Sequence, residues 1–301
     1  MNQDRFGMDT ITLAGSLEAK LRAVKDAGFT QIMLLARDIA DHPDGEAAAI
    51  AAVRASGLRV TGFQVLRDFE GLSGNLHEYK IDIAKSMLEM ARAAGAPLLL
   101  VCSSTSAHGT GDTAALAADL RKLAMLGVPM NVRIAYEALS WGRHVNQYPE
   151  AWDIVARADH ANLGTCIDSF HVLATATSPA GLAEIDRDKI FLVQLSDFMW
   201  RETKSVEERI DTARHYRVFP GEGVHSAEVA GMLRILDEIG YRGDYSFEVF
   251  NDDYAQMPQK MVTARARKSV DWLMAQVPRH SLPLRRRAGS PAAGSAGAAA
   301  S

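Results

Sequence analysis

Short apolar, β-branched runs alternate with longer amphipathic or alanine-rich stretches from Thr10 to about Gln276. The short runs predict eight strands, over Thr10 to Leu13, Gln31 to Leu35, Arg59 to Gln64, Pro97 to Cys102, Asn131 to Glu137, Asn162 to Asp168, Lys189 to Gln194 and Asp244 to Phe250. Between them, SLEAKLRAVKDAG, DGEAAAIAAVRASG, LHEYKIDIAKSMLEMARAAG, GDTAALAADLRKLAMLG and HSAEVAGMLRILDEIG carry helical periodicity. Gly28, Gly57, Gly95, Gly127 and Gly240 close these segments, where a helix end favours a left-handed residue. Strict strand–helix alternation implies a parallel sheet, and eight units of about thirty residues imply an α/β fold of the (β/α)8 TIM-barrel type.

Two departures from this rhythm set the domain organisation. Between Gln194 and Glu248 about one unit of extra chain is inserted after the seventh strand. This segment, SDFMWRETKSVEERIDTARHYRVFPGEG, reads as a lid or substrate-binding loop, except that its Glu-Glu-Arg part reads as a solvated helical excursion with no role. After Val277 the periodicity stops and PRHSLPLRRRAGSPAAGSAGAAAS follows. Residues 1–277 are therefore expected to form one catalytic barrel, and residues 278–301 a low-complexity, disordered tail with a solvated arginine triplet.

Composition narrows the class. With 48% hydrophobic and 23% charged residues, the 301-residue chain can bury a substantial core. A formal net charge of -4 gives no electrostatic reason to expect nucleic acid, and a small polar metabolite fits better. Cys102 and Cys166 lie inside apolar runs without metal-site spacing, which predicts buried thiols in a reducing compartment. No basic leader and no run long enough to cross a bilayer is present, so a cytoplasmic location with no membrane partner is expected. A homo-oligomer is left open.

Four successive strands of the second half end on an oxygen donor: Glu137, Asp168, Gln194 and Glu248. In a parallel barrel all carboxyl ends open onto one face, so these four converge. A single acid at a strand end usually caps a helix or pairs with a cation. Several acids crowded at one mouth would repel and raise one another's pKa unless a cation joined them. Three carboxylates and an amide suit one hard divalent cation, Mg²⁺, Mn²⁺ or Co²⁺. His171, Arg143, His144 and Arg67 also follow strand ends, and the insertion adds Arg214, His215 and Arg217. His42, His77, His160 and His280 read as surface or packing residues. A chelated cation with neutral bases nearby suits proton abstraction beside a carbonyl, leading to isomerisation, epimerisation or dehydration.

This chain resembles the xylose-isomerase-like barrel superfamily of sugar isomerases, epimerases and dehydratases over nearly its whole length. AYEALSWGRHVNQYPEAWDIVARADH, LGTCIDSFHVLA, FQVLRDFEG, RHYRVFPGEG and YSFEVFNDDY are similar more specifically to the bacterial 3-dehydroshikimate dehydratases. Those hydro-lyases convert 3-dehydroshikimate to protocatechuate in quinate and shikimate catabolism. The resemblance implies Glu137, Asp168, Gln194 and Glu248 as metal ligands; many sugar epimerases have histidine at the position of Gln194. It further implies His171 as the base at C4 and His144 as a group that hydrogen-bonds or protonates a hydroxyl. Arg67 or Arg217 would bind the substrate carboxylate, with Arg143 and His215 as further substrate contacts. Some members carry a second, dioxygenase-like domain, and this chain is expected to be the single-domain form. The nearest alternative is a sugar or inosose isomerase, epimerase or dehydratase of the same barrel. A DNA-repair endonuclease would need more ligands and a basic groove, and a non-catalytic binding protein would leave His171 and the arginines without a role.

Overall fold

The computed structural model describes residues 2–277, and the expected tail, His280 included, lies outside the described residues. Eight parallel strands close into a barrel: β1 (Phe6–Asp9), β2 (Gln31–Leu35), β3 (Arg59–Arg67), β4 (Leu98–Cys102), β5 (Arg133–Glu137), β6 (Leu163–Asp168), β7 (Ile190–Leu195) and, last in the chain, β10 (Tyr245–Phe247), which pairs with β1. The segment after β7 forms a separate antiparallel pair, β8 (Asp197–Phe198) and β9 (Arg217–Val218), around the helix Val206–His215. The expected insertion is thus a strap across the carboxyl end of the barrel.

Strand alternation sorts the interior by height. Successive inward positions run Leu98, Leu100, Cys102 on β4 and Arg133, Ala135, Glu137 on β5; β6 and β7 continue with Gly164, Cys166, Asp168 and Leu192, Gln194. Met33, Leu98, Leu100, Ala135, Cys166, Phe191 and Leu192 pack as an apolar plug low in the barrel. One step higher, the same faces present polar ends. The register sets Cys102 beside Glu137, Glu137 beside Cys166, Asp168 beside Gln194 and Gln194 beside Ser246. Outward positions such as Leu99, Val101, Ile134 and Val193 join the larger core under the helices.

Two expectations need correction. The first strand is Phe6–Asp9 and not Thr10 to Leu13, because Thr10–Thr12 forms a 3-10 turn whose hydroxyls are used by the barrel rim. Thr12 Oγ1 donates to the Phe247 carbonyl at 3.0 Å, and Thr10 Oγ1 accepts the Leu35 N–H at 2.9 Å. Gly28, Gly57, Gly95 and Gly240 adopt positive φ as expected, but Gly127 has φ -73° and continues its helix. Its requirement is space: a Cβ there would lie 2.3 Å from the Val132 carbonyl oxygen. The left-handed residue is Asn131, four positions later.

Candidate active site

Glu137 ends β5 in a fully buried setting. Its Oε2 accepts a hydrogen bond from Cys102 Sγ at 2.9 Å. Its Oε1 has no hydrogen-bond partner among the described residues and lies 3.9 Å from His171 Nε2. Asp168 ends β6 and caps the short helix Ser169–Ala174, with Oδ1 accepting the Phe170 N–H at 2.8 Å. That turn lifts His171 over the strand ends, and its Nε2 comes within 3.6 Å of Asp168 Oδ2. Ligand atoms of Glu137, Asp168 and His171 all lie within 4.8 Å of one another.

His171 is buried beside Trp141 and Phe170, with ring centroids 5.1 and 5.2 Å away. Its Nδ1 meets both the backbone N–H and the hydroxyl of Ser140, each at 3.1 Å. Because the backbone N–H donates to Nδ1, the neutral ring as placed carries its hydrogen on Nε2, facing Asp168 and Glu137; a lone pair at Nε2 needs the other tautomer, with the Ser140 hydroxyl as acceptor at Nδ1. Desolvation, reinforced by Arg217, holds the ring well below its ordinary pKa, so it is neutral at neutral pH.

Glu248 follows β10 and Gln194 lies in β7. Arg217, delivered by β9, sits between the acids: its Nη1 donates to Asp168 Oδ2 at 2.8 Å and Glu248 Oε2 at 3.0 Å. The guanidinium is buried against the faces of Phe170 and Phe250. Gln194 Nε2 donates to Asp9 Oδ2 at 2.9 Å and Gln64 Oε1 at 3.1 Å, while Cys166 Sγ donates to its Oε1 at 3.2 Å.

Burial raises every acid in this layer. Desolvation and then Glu248 push Asp9 and Glu137 well above the carboxylate range. Asp168 is raised by desolvation against the opposing pull of Arg217, and Glu248 is pushed up to about 7 by the same balance. Four buried acids face one buried guanidinium, with a carboxylate oxygen of Glu137 unpartnered. Carboxylates gathered in this way, with His171 Nε2 within reach of two of them, fit a divalent cation.

Above the acids lies a cavity of about 320 Å³, lined by Glu137, Glu248, His171 and Arg217 on one side and by Arg67, Asp68, Ser103 and Thr105 on the other. Trp141 and Arg214 complete its rim. Gln194 does not line this cavity; it is held beneath the acids. Other expected contacts are not brought together. His144 turns outward, its Nε2 3.1 Å from the Gly109 carbonyl, into a separate surface depression. Arg143 is exposed and contributes its N–H to the Ser104 carbonyl. His215 pairs with Asp252 at 3.0 Å on the outside of the strap. Arg217, expected at a substrate carboxylate, is engaged with protein carboxylates instead. His42 and His77 pair with Glu18 and Asp119, and His160 accepts the Asn162 N–H, all away from the cavity.

Asp9, Gln64 and Ser140 were not singled out in the sequence. Asp9 ends an apolar run, FGMD, the same signal that marks Asp168. The displaced first strand hides it. Ser140 carries no signal of its own, because only the fold brings it to His171.

Residues 21–276 match the family model described as xylose isomerase-like TIM barrel, and the chain belongs to that family. It is 37% identical over 272 residues to the 3-dehydroshikimate dehydratase of Pseudomonas aeruginosa, covering 90% of this chain and 42% of that protein. The enzyme of the same name from Pseudomonas putida is 35% identical over 267 residues, covering 89% of this chain and 41% of the relative. The chain therefore spans less than half the length of these curated relatives. Among solved structures, a xylose isomerase-like TIM barrel/4-hydroxyphenylpyruvate dioxygenase fusion protein superposes with a TM-score of 0.84 at 35% identity, covering 90% of this chain and 43% of the other. No helix among the described residues is long and apolar enough to cross a membrane.

Proposed function

We propose that the chain catalyses metal-dependent dehydration of 3-dehydroshikimate to protocatechuate, the reaction of quinate and shikimate catabolism. The observation that carries this reading is the similarity, across nine-tenths of the chain, to two proteins named for that dehydratase. The acid floor and cationic rim of the cavity support it. Glu137, Asp168, Gln194 and Glu248 would hold the cation, which, when bound, polarises the substrate's ketone and neighbouring hydroxyl and stabilises negative charge developing there.

The remaining chemistry falls to side chains of the chain. His171, neutral at neutral pH, would accept the C4 proton at Nε2 from the tautomer protonated at Nδ1, which requires the Nδ1 contact to pass from the Ser140 N–H to the Ser140 hydroxyl. The C4–H electron pair is first delocalised toward the C3 oxygen and then forms the C4–C5 double bond as the C5–O bond breaks. The imidazolium returns its proton to the departing hydroxyl, which leaves as water. Transfer of a C6 proton to the C3 oxygen then yields the aromatic ring. Arg67 receives the ring carboxylate through paired charged hydrogen bonds, and Arg214 adds positive charge to the same cavity. Sugar or inosose isomerisation would give this cationic rim no anion to bind.

The test is direct. Purified protein is mixed with 3-dehydroshikimate with and without chelator, and protocatechuate is followed by ultraviolet absorbance. Metal-dependent product is expected, and Glu137→Gln should abolish it. Absence of product with any of the three metals would overturn the assignment.

A further inference from the structure

Asp9 is buried at the end of β1, outside the cavity lining, and three donors converge on it. Gln194 Nε2 donates to its Oδ2 at 2.9 Å, Gln64 Nε2 approaches the same oxygen at 3.4 Å, and Ser246 Oγ donates to its Oδ1. Gln194 Nε2 also reaches Gln64 Oε1 at 3.1 Å. Two acceptors therefore hold the nitrogen end of this one amide, while its oxygen end meets the thiol of Cys166, a weak donor. Rotating the amide by half a turn would press its carbonyl oxygen against the carboxylate oxygen of Asp9 and the amide oxygen of Gln64. That arrangement replaces two attractive contacts with two repulsive ones.

We propose that Asp9 is a positioning residue that fixes the amide of Gln194 with its carbonyl oxygen as the atom offered to the cation. The inference rests on the metal reading given above. Asp9 performs for an amide what a carboxylate behind a metal-bound histidine performs for imidazole: it accepts the far N–H and fixes the ligand atom. It follows that histidine at position 194 would find its ring N–H acceptor already built.

Mn²⁺ affinity, measured by electron paramagnetic resonance on the full chain, tests this without recourse to turnover. Asp9→Asn, near-isosteric but with a donor in place of one of the two acceptor oxygens that Gln194, Gln64 and Ser246 share, should weaken Mn²⁺ binding by about 10- to 100-fold. Gln194→His should keep it within about tenfold of wild type in the presence of Asp9, and lose it further when combined with Asp9→Asn. A folded Asp9→Asn protein with wild-type affinity would overturn the inference while leaving the metal reading intact. Failure of the wild-type chain to bind Mn²⁺, Mg²⁺ or Co²⁺ would overturn both. Should Asp9→Asn not fold, the Gln194→His protein decides alone, and a loss beyond tenfold counts against the proposal.

Discussion

On the side of the mouth formed by β5, β6, β7 and β10, carboxylates are buried without enough cations, and the one guanidinium among them comes from the strap. Across the cavity, at the ends of β3 and β4, the acids are spent on backbone. Asp68 Oδ1 accepts the Thr105 N–H at 2.8 Å and its hydroxyl at 3.1 Å, and Glu70 Oε1 accepts the Ser104 N–H at 2.6 Å and the Tyr136 hydroxyl at 2.9 Å. Arg67 on that side forms no ion pair among the described residues. One side is thus organised to gather positive charge and the other to release it toward an anion. Equivalent strand-end positions acquire opposite chemistry according to whether their acids face inward or tie down the next loop.

The largest expected break in this contrast is at His171. His171→Ala should lower kcat by about 10²- to 10⁴-fold in the protocatechuate assay, with bound metal retained on elemental analysis. Near-normal turnover would move the proton transfer to another group. Next, Arg217→Met removes the buried partner of Asp168 and Glu248. In metal-free protein it should cost about 3–5 kcal/mol in denaturant unfolding, and added Mn²⁺ should recover part of that loss. An unchanged midpoint would show that the two acids are not charged against Arg217.

On the opposite side, Arg67→Ala should raise KM for 3-dehydroshikimate by about 10- to 100-fold while leaving kcat nearly intact, the mark of a charged contact made equally in ground and transition states. A kcat loss with unchanged KM would remove Arg67 from the carboxylate site. The last effect is a gradual slope and concerns Glu70, pushed up to about 7 chiefly by burial. Its folded form binds a proton more tightly than the unfolded chain, so it adds stability below about pH 4.5 that is lost as pH rises to about 7. The slope is at most about 1.4 kcal/mol per pH unit. Glu70→Gln should flatten unfolding free energy across that window; an unaltered profile would refute the assignment.

The barrel was legible because β4 to β7 are apolar runs bounded by helices with clear periodicity. The acids ending β5 and β6 announced the charged side of the mouth for the same reason. Sequence could not place β1, since Thr10 to Leu13 is richer in β-branched residues than FGMD, yet the Thr10 and Thr12 hydroxyls serve the rim. Nor could it orient side chains within loops. His144 and His171 both follow strand ends, but the helix capped by Asp168 turns one inward, while the loop holding Arg143 against Ser104 turns the other out. Arg217 was expected as a substrate contact from its place in RHYRVFPGEG, whereas its engagement with protein acids depends on pairing between β8 and β9.

That two-stranded pairing makes the barrel and its insertion inseparable. Most loops at a barrel mouth can be exchanged between relatives as independent cassettes, with the scaffold beneath left undisturbed. Here an exchanged segment lacking Arg217 would leave Asp168 and Glu248 facing each other without their shared counter-charge, and a cassette chosen only for substrate shape would destabilise what it was meant to redirect. Strap and floor are a single electrostatic unit, and redesign must move them together.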